Sequence, residues 1–286
     1  MPSEFISSNG IQLHVRQEGP ADGPLILLLH GFPEFWYGWR RQITALAEAG
    51  FRVWVPDQRG YNLSDKPAGI KSYTLDKLAA DMIGLIDAAG IEKATVVGHD
   101  WGGGVAWYLA MTYPERIHQL IILNMPHLAA FGEVLRRHPR QMLKSWYVGF
   151  FQVPALPEWL AKRGKYWAIR RMLRLTSRPG TFTDEDLIEY QKAWSQPGPG
   201  GASAFRTMVH WYRAFVRHRP PVQRRVIVPT LILWGVRDSA LIPELATASK
   251  AWCTNAELIY FKEATHWLAA EEPEAVTKWI IEKATA

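Results

Sequence analysis

The chain has 286 residues, 48% hydrophobic and 21% charged, which excludes a disordered, collagen-like or solenoid polypeptide and allows a core that needs no staple. A lone cysteine, Cys253, excludes a disulfide framework and a thiolate metal cluster, and fits a reducing, cytoplasmic setting. The net charge of +6 hides an asymmetry: residues 133–178 hold 11 Lys and Arg against Glu133 and Glu158, so this stretch carries +9 and the remainder −3.

Such a basic stretch attracts nucleic acid or an anionic membrane surface. Arg136, Arg137, Arg140, Arg170, Arg171 and Arg174 recur at helical spacing, however, and no nucleic-acid motif accompanies them. A solvated helical face is the favoured reading, with no nucleic-acid partner expected. The opening Met1-Pro2-Ser3-Glu4 is polar and the early apolar run Leu25 to Leu29 is short, so neither a leader nor a membrane span is expected.

In chain order, Asn9-Gly10 between two alternating segments, Glu4 to Ser8 and Ile11 to Gln17, predicts a hairpin. Short β-rich runs follow: Leu25 to His30, Arg52 to Asp57, Thr95 to His99, Gln119 to Asn124, Thr230 to Gly235 and Glu257 to Phe261. Helix-period stretches separate several of them, Trp39 to Ala49, Leu75 to Ala89 and Gly103 to Tyr113, and a last helix opens at Pro273. Apolar strands alternating with helices predict an α/β fold: eight strands in a mostly parallel sheet covered on both faces.

The rhythm fails between Met125 and Pro229. Helical pieces at Glu133 to Lys144 and at Asp184 to Ser195, the latter capped by Thr183 with Asp186, are joined by the flexible Pro197 to Gly201 and the breaker Arg219-Pro220-Pro221. An insertion of this size is too large for a loop. The expected organisation is a core of 1–125 and 229–286 with an all-helical cap, 126–228, over the strand ends where ligands of open α/β sheets bind.

Chemistry concentrates at Val96-Val97-Gly98-His99-Asp100-Trp101-Gly102-Gly103-Gly104. Glycines two before and two after a central residue, between strand and helix, describe a nucleophile elbow presenting Asp100; the plainer alternative is that Asp100 only N-caps the helix. Asp238, after the strand ending at Gly235, and His266, after the strand ending at Phe261, follow in the order nucleophile, acid, histidine. The loop His30-Gly31-Phe32-Pro33-Glu34 predicts an oxyanion site from the backbone N–H groups of Phe32 and Trp101. No metal, phosphate-loop or dinucleotide motif is present, so no metal or cofactor is expected.

Aspartate at the elbow changes the reaction. A carboxylate is ionised at neutral pH and needs no base to attack a saturated carbon; the product is an ester on the enzyme. His266 then takes a proton from the water that cleaves this ester, and Asp238 orients the imidazole. An epoxide leaving group becomes an alkoxide and needs a proton donor, and the cap offers Tyr147, Tyr166, Tyr190 and Tyr212.

The segments His30 to Glu34, Asp57 to Pro67, Gly98 to Gly104, Leu123-Asn-Met-Pro-His127, Trp234 to Asp238 and Thr265-His266-Trp267 resemble those of the α/β-hydrolase-fold epoxide hydrolases, over almost the whole chain. The resemblance implies a cofactor-independent enzyme, in a detoxifying role, that converts an apolar epoxide to a vicinal diol as a monomer or homodimer. It places the proton donors on Tyr147, in Tyr147 to Pro154, and on Tyr212, in Trp211 to Arg213. Substrate contacts are expected from His30, Pro33, Trp146, Phe150 and Trp267. Asn62 stands where the family more often has glycine, and asparagine tolerates the left-handed conformation next best.

The rival reading is a haloalkane dehalogenase, which shares the aspartate, the histidine and Trp101, but many of these resemble His-Gly-Asn-Pro where this chain has Phe32. Fluoroacetate dehalogenases carry arginine after the nucleophile and an acid after the sixth strand, where this chain has Trp101 and Asn124. A reading of another class is a non-catalytic membrane-surface or partner-binding module using the basic cap.

Overall fold

The computed structural model describes residues 3–218 and 224–285, so the expected breaker Arg219-Pro220-Pro221 and the opening Met1-Pro2 lie outside the described residues. The strands are β1 Ser3–Ser8, β2 Ile11–Glu18, β3 Leu25–Leu29, β4 Arg52–Pro56, β5 Ala94–His99, β6 Ile117–Leu123, β7 Thr230–Gly235 and β8 Ala256–Phe261. They form one sheet in the order β1-β2-β4-β3-β5-β6-β7-β8. Only the β1–β2 and β2–β4 pairings are antiparallel. Asn9 at φ 47° and Gly10 at φ 76° supply the two left-handed residues that a tight hairpin between twisted strands needs.

The helices are α1 Arg40–Glu48, α2 Leu75–Ala88, α3 Trp101–Thr112, α4 Leu128–Arg137, α5 Pro139–Lys144, α6 Trp146–Phe150, α7 Leu156–Lys162, α8 Trp167–Thr176, α9 Asp184–Ser195, α10 Ala204–Arg217, α11 Glu244–Lys250, α12 Leu268–Glu271 and α13 Pro273–Ala284. Alternate residues of each inner strand serve opposite faces of the sheet. Leu25, Leu27 and Leu29 pack with α2 and α3, whereas Ile26 and Leu28 pack with Ile43 of α1 and Ile280 of α13. This two-sided burial is why these strands read as unbroken apolar runs.

From β3 the chain moves outward to β4 and returns on the other side of β3 as β5. The loops after β3 and β5 therefore leave the sheet side by side and in opposite directions, the crevice where α/β sheets hold ligands.

Helices α4 to α10 all lie between β6 and β7, and among the described residues of this stretch there is no strand. Two details differ from the sequence expectation. The helix expected from 133 to 144 starts at Leu128 and breaks at His138, which is extended (φ −119°, ψ 99°) because Pro139 follows it. Pro197 to Gly201, expected to be flexible, is pinned: Pro197 pairs with Ser203 and the Gly198 N–H donates to the Ala202 carbonyl at 2.7 Å. The expected cap of α9 is present, the Asp186 N–H donating to Thr183 Oγ1 at 3.1 Å and the Thr183 N–H to Asp186 Oδ2 at 3.0 Å.

Tryptophans tie the insertion to the core: Trp194 Nε1 donates to the Pro33 carbonyl at 2.6 Å and Trp211 Nε1 to the Arg59 carbonyl at 3.1 Å.

Candidate active site

At the end of β5 the backbone folds back so tightly that Asp100 adopts φ 48°, ψ −124°, a conformation an L-residue takes only under constraint. A Cβ on Gly98 would lie 2.5 Å from the Gly102 carbonyl oxygen, and one on Gly102 would strike the Leu29 carbonyl, so these glycines are required by close approach. The Asp100 side chain makes no capping bond to α3. Its Oδ1 instead accepts the Phe32 N–H at 2.8 Å, across the gap between the β3 and β5 loops. The plainer alternative, a simple N-cap, is thereby set aside.

Asp100 Oδ2 lies 3.5 Å from His266 Nε2. The other ring nitrogen, Nδ1, donates to Asp238 Oδ2 at 2.7 Å. Asp238 is held in turn by the N–H groups of Ala240 and Leu241, at 2.7 and 2.9 Å, and by Asn124 Nδ2 at 2.8 Å. Asn124 follows β6 at φ 43°, and its Oδ1 accepts the Gly235 N–H at 2.8 Å, so it links the ends of β6 and β7 beneath the carboxylate.

Burial raises the pKa of Asp100 and of Asp238, but the His266 charge outweighs it, helped by Phe32 N–H at Asp100 and by Asn124 at Asp238; both finish below the usual carboxylate range. Burial lowers His266, yet Asp238 and Asp100 on its two sides hold it well above the ordinary histidine value. The resting arrangement is an imidazolium between two carboxylates.

Tyr147 of α6 and Tyr212 of α10 face this group from the insertion, their rings 5.9 Å apart and almost perpendicular. Neither hydroxyl donates to a protein acceptor among the described residues, and the Trp101 indole N–H points to the Tyr212 oxygen. Burial, reinforced by the Asp100 charge, raises both phenols, so they stay protonated. Between them and Asp100 lies a narrow cavity of about 50 Å³, walled by Met125, Leu128, Phe131, Val148, Phe215 and Leu241.

The side chains expected to contact substrate are placed differently. Trp146 is 68% exposed and packs on Phe150 one helical turn away; both turn from the cavity that their neighbours Tyr147 and Val148 line. His30 lies buried under Tyr61 and its Nε2 accepts the Gln58 N–H at 3.1 Å. Pro33 offers its carbonyl to Trp194, and Trp267 packs edge-on to His266 while its indole N–H donates to Thr176 Oγ1 at 3.0 Å. None of the five lines the cavity. Its actual walls had positional signals: Met125 and Phe131 follow β6, Phe215 lies one turn after Tyr212, and Leu241 lies three residues after Asp238.

Asn62, at φ 37°, takes the left-handed conformation and donates to Asp57 Oδ2 at 2.8 Å.

A family profile described as alpha/beta hydrolase fold matches residues 24–273. The chain is 47% identical to the AB hydrolase superfamily protein YfhM of Bacillus subtilis over 98% of this chain and 96% of that one. It is 38% identical to human epoxide hydrolase 4, over 96% of this chain and 76% of that protein. A crystal structure of the Bacillus megaterium epoxide hydrolase with an inhibitor superposes with a TM-score of 0.88 at 30% identity, covering 99% of this chain and all of that one. The chain belongs to the α/β-hydrolase-fold epoxide hydrolases.

Sequence motifs gave no sign of one further network in this epoxide hydrolase. His99 Nδ1 donates to Glu34 Oε2 at 2.8 Å, and its Nε2 donates to the His266 carbonyl at 2.8 Å. Tyr190 of α9 donates to Glu34 Oε1 at 3.0 Å, so this buried carboxylate joins the insertion to the loop that carries His266.

Proposed function

We propose that the protein hydrolyses a small apolar epoxide to a vicinal diol, with Asp100 as nucleophile, His266 as base, Asp238 orienting it, and Tyr147 and Tyr212 as proton donors. The observation that carries this reading is the pairing of an ionised elbow carboxylate with two protonated phenols, neither of which donates its proton to a protein acceptor among the described residues, across a narrow apolar cavity. Phenols serve an alkoxide; a halide leaving group needs no proton, and the asparagine nearest the site, Asn124, is committed to Asp238 and Gly235. The core of 1–125 and 229–286 and the cap of 126–228 are the working units of this proposal, and the lone thiol Cys253, buried in the fold, accords with a cytoplasmic setting.

In the first step Asp100 Oδ2 forms a bond to an epoxide carbon, the C–O bond breaks, and the freed electron pair takes a proton shared by the two phenols. Phe32 N–H already holds Oδ1, the atom that becomes the ester carbonyl oxygen, and Trp101 N–H at the start of α3 is the second donor. Alkylation also cancels the Asp100 charge. One of the two carboxylates that keep His266 protonated is lost, so the ring gives up its proton, which restores the phenolate left by ring opening, and the neutral ring is a base when water has to be activated. Water then gives one proton to His266 and its oxygen adds to the ester carbon; collapse breaks the ester C–O bond, the diol oxygen takes the second water proton, and the carboxylate is restored.

Intact-protein mass after epoxide addition tests this scheme. Asp100→Asn should be inactive without an adduct, and His266→Gln should accumulate the ester. Failure of the folded His266→Gln protein to gain the mass of substrate, or faster halide release from a chloroalkane than diol release from styrene oxide, would overturn it.

A second reading adds a surface role. Leu143, Trp146, Trp167 and Leu175 are each at least 60% exposed and lie in the +9 stretch, with Arg171 stacked over Trp167. We propose that these exposed apolar side chains, with the arginines of the same stretch, rest on anionic lipid, where apolar epoxides partition. No helix among the described residues is long and apolar enough to cross a membrane. Co-sedimentation with phosphatidylglycerol vesicles, lost in the Arg136, Arg137 and Arg171→Gln variant, is the expected result; equal sedimentation of both proteins would exclude it.

A further inference from the structure

A second cavity, of about 480 Å³, lies between α7 and α10, with Ile70 of the turn Ile70–Tyr73 closing one side. It shares no residue with the cavity at Asp100. Its lining combines the apolar side chains Ile70, Pro154 and Trp159 with the cations Lys162 of α7 and Arg206 and Arg217 of α10.

Charge here is unbalanced. Among the described residues Glu158 is the only carboxylate lining the cavity, and both its oxygens are taken by Arg213, at 2.6 and 3.1 Å. Among the described residues no carboxylate pairs with Lys162, Arg206 or Arg217. The lining therefore has four cations against one anion, a net +3 with His210 neutral.

Two buried polar side chains also line it without a full set of partners. Ser203 is 5% exposed, and its Oγ is buried with no hydrogen-bond partner among the described residues. His210 is 7% exposed, and Arg213 Nη1 donates toward its Nδ1 at 3.4 Å, which leaves the ring proton on Nε2, itself without a partner among the described residues. Burial and the charges of Arg213 and Arg206 lower His210 to about 4, so the ring meets a ligand as a neutral N–H donor. A buried hydroxyl without a partner costs free energy, and Lys162 and Arg206 are cations without a paired carboxylate among the described residues; an oxyanion seated between them offsets their charge and brings an acceptor to the cleft.

We infer that this cleft is a second ligand site, taking the carboxylate or phosphate of a small amphiphile whose apolar body lies against Ile70, Pro154 and Trp159. Its volume is in the range that holds such a molecule. Arg213, at the floor, also donates to the Phe151 and Val153 carbonyls at 2.9 Å each, so the site adjoins the clamp that joins the Tyr147 segment to the Tyr212 helix.

Isothermal titration with octanoate, octyl phosphate and inorganic phosphate tests the inference, with the His210 ring resonance followed by NMR. At least one octyl compound should bind once per chain and move that resonance, and the two octyl arms separate a carboxylate site from a phosphate site. Inorganic phosphate should bind about tenfold more weakly than octyl phosphate, for want of the apolar contact. The Lys162→Gln, Arg206→Gln double variant should keep its epoxide turnover and lose at least about tenfold in affinity. The inference is overturned if neither octyl compound binds, if inorganic phosphate binds equally well, or if the double variant binds as the parent does.

Discussion

Replacing Tyr147 and Tyr212 by phenylalanine, singly and together, tests the chemistry most directly. Neither hydroxyl donates to a protein acceptor among the described residues, and the loss at Tyr212 frees one indole N–H, that of Trp101, so each removal should leave unfolding free energy within about 1 kcal/mol of the parent. In the transition state each phenol donates to an oxygen that is gaining charge, a contact worth roughly 2 to 3 kcal/mol in a dry site. Each single variant should therefore alkylate about 30- to 150-fold more slowly. The two donors serve one oxygen, so the loss in the double variant should depart from the product of the single losses. Single-turnover stopped-flow fluorescence can follow the step, because the Trp101 ring stands edge-on to Tyr212 with centroids 5.0 Å apart. Tyr190→Phe is the informative contrast. It removes a buried bond to the Glu34 carboxylate, so it should cost about 1.5 to 3 kcal/mol of stability while ring opening changes little. Equal slowing by all three variants, or less than about threefold by the first two, would refute the assignment.

What could be read from the sequence was whatever local pattern determines. The strands are legible because the parallel sheet buries both faces, and the elbow because only glycine permits Gly98 and Gly102 to pass carbonyl oxygens so closely. Other features depend on contacts that no window spans. His99 meets Glu34 across 65 residues and Tyr190 meets Glu34 across 156, and each of these residues taken alone looks like ordinary core. On the short helix α6, adjacent residues decide the matter: Tyr147 lines the cavity and Trp146 is exposed, a choice that five residues of periodicity do not fix. The break at His138 was visible in Pro139, and apolar periodicity on both sides concealed it.

The remaining expectations concern oxygen, the acid and pH. After one turnover in heavy-oxygen water, peptide mass spectrometry should find the label in the Asp100 peptide and none in the first equivalent of diol; the reverse would mean direct hydration. Asn124→Ala removes one of the four donors to Asp238 and the brace to Gly235, so ester hydrolysis should slow by about tenfold or more while alkylation is nearly unchanged; equal slowing of both steps would argue for general misfolding. The last expectation is acid sensitivity centred on His127. Its ring stacks on Trp252, its Nδ1 accepts the Ala129 N–H at 3.3 Å and its Nε2 donates to the Arg224 carbonyl at 3.2 Å, an environment that suits the neutral ring. Burial lowers its pKa from 6.5 to about 4. A depressed histidine leaves stability complete above 6.5; below that the unfolded chain binds a proton that the native fold refuses, so stability falls until the native pKa is reached. The loss from this one group amounts to about 3 kcal/mol by pH 4, and His127→Asn should flatten the corresponding slope in urea unfolding between pH 6.5 and 4. An unchanged slope in that variant would mean that His127 does not set the acid limit of the fold.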